Sequence, residues 1–234
     1  MRILFLKKCK APLIIYYAYF LTKLRNFFFK KKIKYEKRKH IDFLKDKNIT
    51  TDFFSSHAFN FLTILKKLKS QFNYLEIGSY EGNSALFVAN KFPDSKINCV
   101  DTWIKTDEYD KEINFNDIEK NFDANISEYS NIKKFKNNSD NFFDQNKKNY
   151  EIIYVDGFHL GEQVYKDIKN AWKILPEGGY LICDDYIWNT SSKNTETTPC
   201  YAINKFLSEI KNCYKVMLVS NSQIFLKKRP EESK

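Results

Sequence analysis

Four side chains able to do acid–base chemistry close two apolar runs: Asp156 and His159 in the tetrapeptide Asp156-Gly157-Phe158-His159, and the adjacent pair Asp184-Asp185. The stretch that holds them, residues 150 to 186, reads YEIIYVDGFHLGEQVYKDIKNAWKILPEGGYLICDDY. It opens as an apolar strand, continues as an amphipathic helix, turns at Pro176-Glu177-Gly178-Gly179 and enters a second apolar strand. Two parallel strands joined by a helix end on the same sheet edge, so this order gathers three carboxylates and one imidazole there. The imidazole titrates near neutrality and can take or give a proton.

The elements that must position these groups begin upstream. Residues 73 to 82, NYLEIGSYEG, form a short apolar run and a turn with two glycines. A helical pattern follows through Ala85, Leu86, Val88 and Ala89. Strand, glycine turn and helix in that order start a nucleotide-type α/β fold. Residues 96 to 101, KINCVD, read as a second strand ending in Asp101, 23 residues after Gly78. That is near the spacing at which an acid accepts hydrogen bonds from ribose hydroxyls. A dinucleotide is disfavoured, because the second glycine of its fingerprint is here Tyr80, the third is Asn83, and the Glu81 carboxylate would face any phosphate.

The remaining chain fills in around this frame. Residues 51 to 70 show helical spacing through Phe54, Ala58, Phe61, Leu62, Leu65 and Leu68, with Asp52 or Ser55 as cap and His57 as an ordinary surface or core histidine. A helix is expected around residues 113 to 129 and a short strand over 132 to 135. Asn138-Ser139-Asp140 reads as a strand-to-helix junction capped by Ser139 or Asp140, whose side chains could border an adenine ring. Asp167 and Trp172 read as helix capping and packing residues. A polar loop is expected over 187 to 199, a helix over 201 to 210, strands over 214 to 219 and 223 to 226, and then a charged tail.

Glu76-Ile77-Gly78-Ser79-Tyr80-Glu81-Gly82 resembles the E-x-G-x-x-x-G first motif of class I S-adenosylmethionine-dependent methyltransferases. V-D-G-x-H at 155 to 159, L-x-x-G-G-x-L at 175 to 181 and D-D-Y at 184 to 186 are similar to the methyltransferase-24 type. That branch is close to catechol-type and macrolide-sugar O-methyltransferases, and the resemblance covers about residues 72 to 227. It implies an α/β, Rossmann-like, mostly parallel sheet of seven strands with helices on both faces. It implies S-adenosylmethionine held by Glu76, Gly78, Ser79, Gly82 and Asp101, with Ser139 and Asp156 at its border. In metal-dependent members the positions of Asp156, Asp184 and Asp185 bind magnesium, and the position of His159 holds the base. A hard cation on oxygen ligands lowers the pKa of an alcohol, and a nearby imidazole then takes its proton.

The expected activity is therefore S-adenosylmethionine-dependent O-methylation, probed at a hydroxyl of a sugar, a glycan or another small molecule, with a divalent metal such as Mg2+ assisting. The other reading is a non-catalytic protein that keeps the fold and docks on a membrane or a partner. Charge bears on this choice. The net charge is +10, yet residues 1 to 40 hold 13 Lys and Arg against the single acid Glu36. The remainder holds 26 bases against 28 acids, so the body is near neutral and no basic face for nucleic acid is indicated. Residues 1 to 50 are accordingly read as a basic amphipathic arm and 51 to 234 as the methyltransferase domain. The apolar run at 12 to 21 is too short to span a bilayer. Its aromatic and basic mixture fits peripheral contact with the inner face of a membrane through residues 1 to 40, and equally a helical extension packed on the domain or in an oligomer. Five scattered cysteines without a C-x-x-C pair fit reduced thiols in a cytoplasmic setting.

Overall fold

The computed structural model describes residues 1 to 106 and 114 to 230. Seven strands form one sheet in the order β3-β2-β1-β4-β5-β7-β6, with helices around it. The pairs β1–β2, β2–β3 and β4–β5 are parallel, whereas β7 is antiparallel to both β5 and β6. This is the mostly parallel seven-stranded sheet expected. By compactness the chain divides into two units, 28 to 142 and 1 to 27 with 143 to 234.

In the unit of residues 28 to 142, β1 (Asn73–Ile77), β2 (Lys96–Asp101) and β3 (Ile132–Lys136) run parallel. In β1 and β2 consecutive residues are buried rather than alternate ones, because an inner parallel strand is covered on both faces, whereas the edge strand β3, with three lysines in five residues, is only partly buried. Helices α3 (Lys30–Phe43), α4 (Ala58–Leu65), α5 (Asn83–Lys91) and α6 (Phe115–Ile126) accompany these strands. The expected helix over 51 to 70 is shorter. Asp52 Oδ1 accepts from the Phe54 and Ser55 amides at 3.2 and 2.8 Å, which starts a 3-10 turn at Ser55–His57 before α4. The expected start of α6 at Ile113 lies outside the described residues. At the next junction α7 (Ser139–Gln145) is capped by neither Ser139 nor Asp140. Asn138 Oδ1 accepts from the Asn141 amide at 2.8 Å, so Ser139 is already the first helical residue.

In the unit of residues 1 to 27 and 143 to 234, β4 (Ile152–Val155) and β5 (Tyr180–Cys183) flank α8 (Gly161–Ile174) in sequence. The stripe Val164, Ile168, Ala171 and Trp172 of α8 is buried, and Trp172 meets Phe206 of α9 (Pro199–Glu209) edge-on at 5.8 Å. Asp167 is buried and accepts from Gln163 at 3.0 Å, a packing role. Pro199 is not loop but the first residue of α9, because its missing N–H costs nothing there and Thr198 caps the turn. A hairpin of β6 (Tyr214–Val219) and β7 (Ile224–Lys228) closes the sheet.

The amino-terminal helices α1 (Arg2–Lys8) and α2 (Leu13–Phe28) pack within this second unit through residue 27. Phe5, Leu6, Ile15, Ala18 and Tyr19 are buried. The Cys9 carbonyl accepts from Asn204 at 3.0 Å, Tyr19 donates to Asn221 at 2.8 Å, and Thr22 Oγ1 accepts from the Val219 amide at 3.1 Å. Among the described residues no helix is long and apolar enough to cross a membrane.

Glu81, read from the sequence as a charge facing the cofactor, is instead a buried fastening. Its carboxylate accepts from the Thr50 amide at 2.7 Å, the Thr50 hydroxyl at 2.8 Å and Asn121 at 2.8 Å. Removing a buried acceptor strands its donors. Glu81→Ala should therefore lower stability by about 2–4 kcal/mol, read as a lower urea midpoint with unchanged slope; an unchanged midpoint would refute the role.

Candidate functional site

The site residues are built at the carboxyl ends of strands, separately in the two units. In residues 28 to 142, β1 ends at Ile77 and the chain turns through Gly78 (φ 85°), Tyr80 (φ 48°) and Gly82 (φ 83°) into α5. Gly82 has a second reason to be glycine: a Cβ there would stand 3.1 Å from the Phe122 ring. Both motif glycines therefore lie where the backbone is left-handed.

Glu76 is fully buried in β1, where one carboxyl oxygen accepts from Tyr74 at 2.8 Å and from Ser84 at 2.7 Å. The other oxygen makes no hydrogen bond within the described residues. Burial pushes the Glu76 pKa up to about 7, against the lowering effect of the Ser84 and Tyr74 hydroxyls. An open buried acceptor that would gain from a cation suits a ligand carrying an ammonium or a sulfonium, so these residues fit S-adenosylmethionine.

Asp101 ends β2 and organises the turn. One oxygen accepts from the Ser79 and Tyr80 amides at 2.8 and 3.0 Å, and the other accepts from the Trp103 amide at 2.8 Å. The Trp103 indole donates to the Tyr80 carbonyl at 2.9 Å. Tyr80 and Trp103 both hold left-handed φ, a strained state for large side chains, and these bonds offset its cost. Asp101 retains lone pairs for a hydroxyl, since a carboxylate can accept about four hydrogen bonds. Ser139 stands at the start of α7 in the same unit.

In residues 143 to 234, β4 and β5 deliver the other four groups. Asp156 follows β4 and accepts from Tyr154 at 2.8 Å. The Tyr154 hydroxyl also makes a short contact with Asp184, which takes a further hydrogen bond from Gln223 at 2.8 Å and one from the Asp185 amide at 2.7 Å. Asp185 is turned away from its neighbour by its left-handed φ of 53° and meets His159 Nε2 at 2.7 Å. Trp188 lies beside the imidazole, with ring centres 5.3 Å apart.

One ligand atom each from Asp156, His159 and Asp185 lies within 4.8 Å of the others, a spacing that can surround a metal ion. Asp184 is not in that group. The Asp156 pKa is raised well above the carboxylate range by burial and then by Asp184 and Asp185, with His159 opposing. Crowded carboxylates need a proton or a cation between them, and oxygen donors favour a hard divalent ion. The carboxylates of this donor set fit a hard ion such as magnesium.

The expected residues thus fall into two groups: Glu76, Gly78, Ser79, Gly82, Asp101 and Ser139 in one unit, and Asp156, His159, Asp184 and Asp185 in the other. Sequence reading missed Tyr74 and Tyr154, although each sits two residues before an acid in a strand, the period that returns a side chain to the same face. It also missed Gln223, which is 39 residues from Asp184 and gives no local signal.

Comparison with known proteins bears on the fold. Residues 75–186 match the family described as a methyltransferase domain. The protein R132 of Acanthamoeba polyphaga mimivirus, of uncharacterised function, is 27% identical over 148 residues, covering 61% of this chain and 62% of its own. The MycE methyltransferase of the mycinamycin biosynthetic pathway, solved with Mg, SAH and mycinamycin VI, superimposes with a TM-score of 0.56 at 15% identity over 76% of this chain and 51% of its own. This chain therefore spans about half the length of MycE. A candidate O-methyltransferase from Klebsiella pneumoniae gives a TM-score of 0.56 at 11% identity, covering 92% of this chain and 99% of its own. Cofactor-bound Rv0187 from MTB gives 0.57 at 12%, covering 90% and 98%.

The raised Glu76 pKa predicts a pH dependence. A group whose folded pKa lies above its unfolded value stabilises most below the unfolded value, here 4.5, and loses that contribution as pH rises through about 7. Glu76→Gln, which cannot ionise, should gain on the wild type by up to about 3 kcal/mol between acidic and mildly alkaline pH. Urea unfolding of both across that window reads the difference; parallel stability curves would rule out a raised pKa.

Proposed function

We propose, from the premise that residues 75–186 belong to the methyltransferase-domain family, that this chain methylates a hydroxyl oxygen of a sugar, a glycan or another small molecule with S-adenosylmethionine as donor. The observation that carries the reading is the His159–Asp185 pair at 2.7 Å beside the Asp156 carboxylate. An alcohol is a weak nucleophile until its proton has somewhere to go. His159 is the proton acceptor, and Asp185 holds the imidazole in place and favours its charged form after transfer.

S-adenosylmethionine supplies an electrophilic methyl group: the acceptor oxygen bonds to its carbon as the carbon–sulfur bond breaks and S-adenosylhomocysteine leaves. Glu76 receives the cationic methionine portion, the left-handed glycines let the backbone lie close, and Asp101 accepts from the ribose with the lone pairs its loop bonds leave over. Asp156 and Asp185 are the carboxylates that would hold a magnesium ion, whose charge would acidify the acceptor hydroxyl. Asp184 steadies that pair through Tyr154 and Gln223. The magnesium and the mycinamycin VI in the MycE complex support a metal-assisted reaction on a small molecule.

The test uses the full chain with S-adenosylmethionine and a panel of hexopyranosides and catechols, with S-adenosylhomocysteine release and product mass as readouts. His159→Ala should lower turnover by about 10²–10⁴-fold while S-adenosylhomocysteine binding by calorimetry persists. Full turnover in that variant removes His159 as the base, and absence of S-adenosylhomocysteine binding by the wild type favours the non-catalytic reading. For the metal, Asp156→Asn should weaken calorimetric Mg2+ binding by roughly tenfold or more; full activity after exhaustive chelation would sink the metal role.

A further inference from the structure

Helix α2 is apolar on two sides, and only one of them is buried. Ile15, Ala18, Tyr19 and Thr22 face the interior. On the outer side Leu13, Tyr17, Phe20, Leu24 and Phe27 follow one another at steps of four and three, one continuous stripe on a helix. They are 86, 61, 64, 44 and 75% exposed, and Ile14 and Leu21 widen the stripe. Contiguous exposed apolar surface of this kind marks an interaction site.

The charge around the stripe says what it meets. Residues 1 to 27 contain Arg2, Lys7, Lys8, Lys10, Lys23 and Arg25 and no acid, and the next 13 residues add seven more bases against Glu36. The partners seen for Lys10 and Lys23 are neutral, the Tyr201 hydroxyl at 3.5 Å and Asn221 at 3.1 Å, so these cations are not cancelled by a carboxylate there. A groove of about 620 Å³ between α2 and the edge strand β6 borders the stripe and brings Lys215 and Arg229 to it. A second copy of the chain would bring the same positive surface against itself. A layer with an apolar interior and an anionic face complements both features.

We infer that α2 lies flat in the interface of an anionic lipid bilayer, with Tyr17, Phe20 and Leu24 inserted below the headgroups and the flanking lysines and arginines on the lipid phosphates. Sixteen residues rise about 24 Å as a helix, short of the span of a bilayer core. The buried bonds of Tyr19 to Asn221 and Thr22 to Val219 fix the inner face, so the outer face is presented without unfolding. This surface is independent of the methyl-transfer reading.

The experiment is flotation of the full chain with vesicles of phosphatidylcholine containing about one-third phosphatidylglycerol, against phosphatidylcholine alone. The wild type should float with the anionic vesicles and fall by roughly tenfold or more in high salt. Phe20→Ser with Leu24→Ser should lose roughly tenfold in vesicle affinity, as should Lys7→Glu with Lys8→Glu, both keeping the wild-type melting temperature. Failure of the wild type to bind anionic vesicles overturns the inference, as does equal binding to neutral ones. A vesicle-free dimer abolished by the Phe20 and Leu24 substitutions would also overturn it, reassigning the stripe to self-association.

Discussion

A carboxylate removed from water must be met by a donor, a proton or a cation, and that constraint shapes both units. Glu76 meets it with the hydroxyls of Tyr74 and Ser84 and with a pKa raised to about 7. Asp156 and Asp184 meet it by sharing the Tyr154 hydroxyl, which has one proton for two acceptors. In each case a tyrosine two residues earlier in the strand supplies the donor. Gathering these acids at strand ends raises the pKa of Glu76 and of Asp156, so each carboxylate would gain from a nearby positive charge.

Another acid, Asp101, holds the backbone in place. Tyr80, Trp103 and Asp185 are left-handed residues with side chains, each just past the end of a strand. Such conformations cost about 1–3 kcal/mol each and persist only where surrounding bonds over-determine them. Asp101 does so for two of the three by accepting from the Ser79, Tyr80 and Trp103 amides. A residue expected only as a ribose acceptor is therefore first a brace for the loop on which the cofactor would rest. Substituting it would disturb loop shape and ligand contact together.

Much of the fold was legible because it depends on local pattern. The strands β2 and β6 have the bounds expected from their apolar runs, and β4, α8 and β5 follow the order read from residues 150 to 186. Errors came where one side chain chose between equivalent partners. Asn138 capped α7 although Ser139 and Asp140 were also suitable types, and Pro199 began a helix although it closed a polar stretch. Glu81 was misread for another reason. Its type and position suit a cofactor loop, but its donors, Thr50 and Asn121, lie 31 and 40 residues away and leave no trace in the motif. The amino-terminal region was legible as basic and amphipathic, whereas its fastening to Asn204, Val219 and Asn221 comes from contacts nearly 200 residues apart in sequence.

Asp184 and Asp185 show the limit most sharply, being identical in type and adjacent. Asp184, just past the end of β5, lies beside Tyr154 and Gln223, while Asp185 takes a left-handed φ of 53° and meets His159. The two neighbours thus differ in backbone conformation and in the partners they meet. A cation between Asp156 and Asp185 would compete with His159 for the same carboxylate, so metal binding and imidazole charge are coupled. Positive charge on the metal would disfavour the protonated imidazole and keep it a base. Proton uptake by the imidazole and metal binding would then oppose each other, each weakening the other by the same factor, without a direct bond between the ion and the histidine.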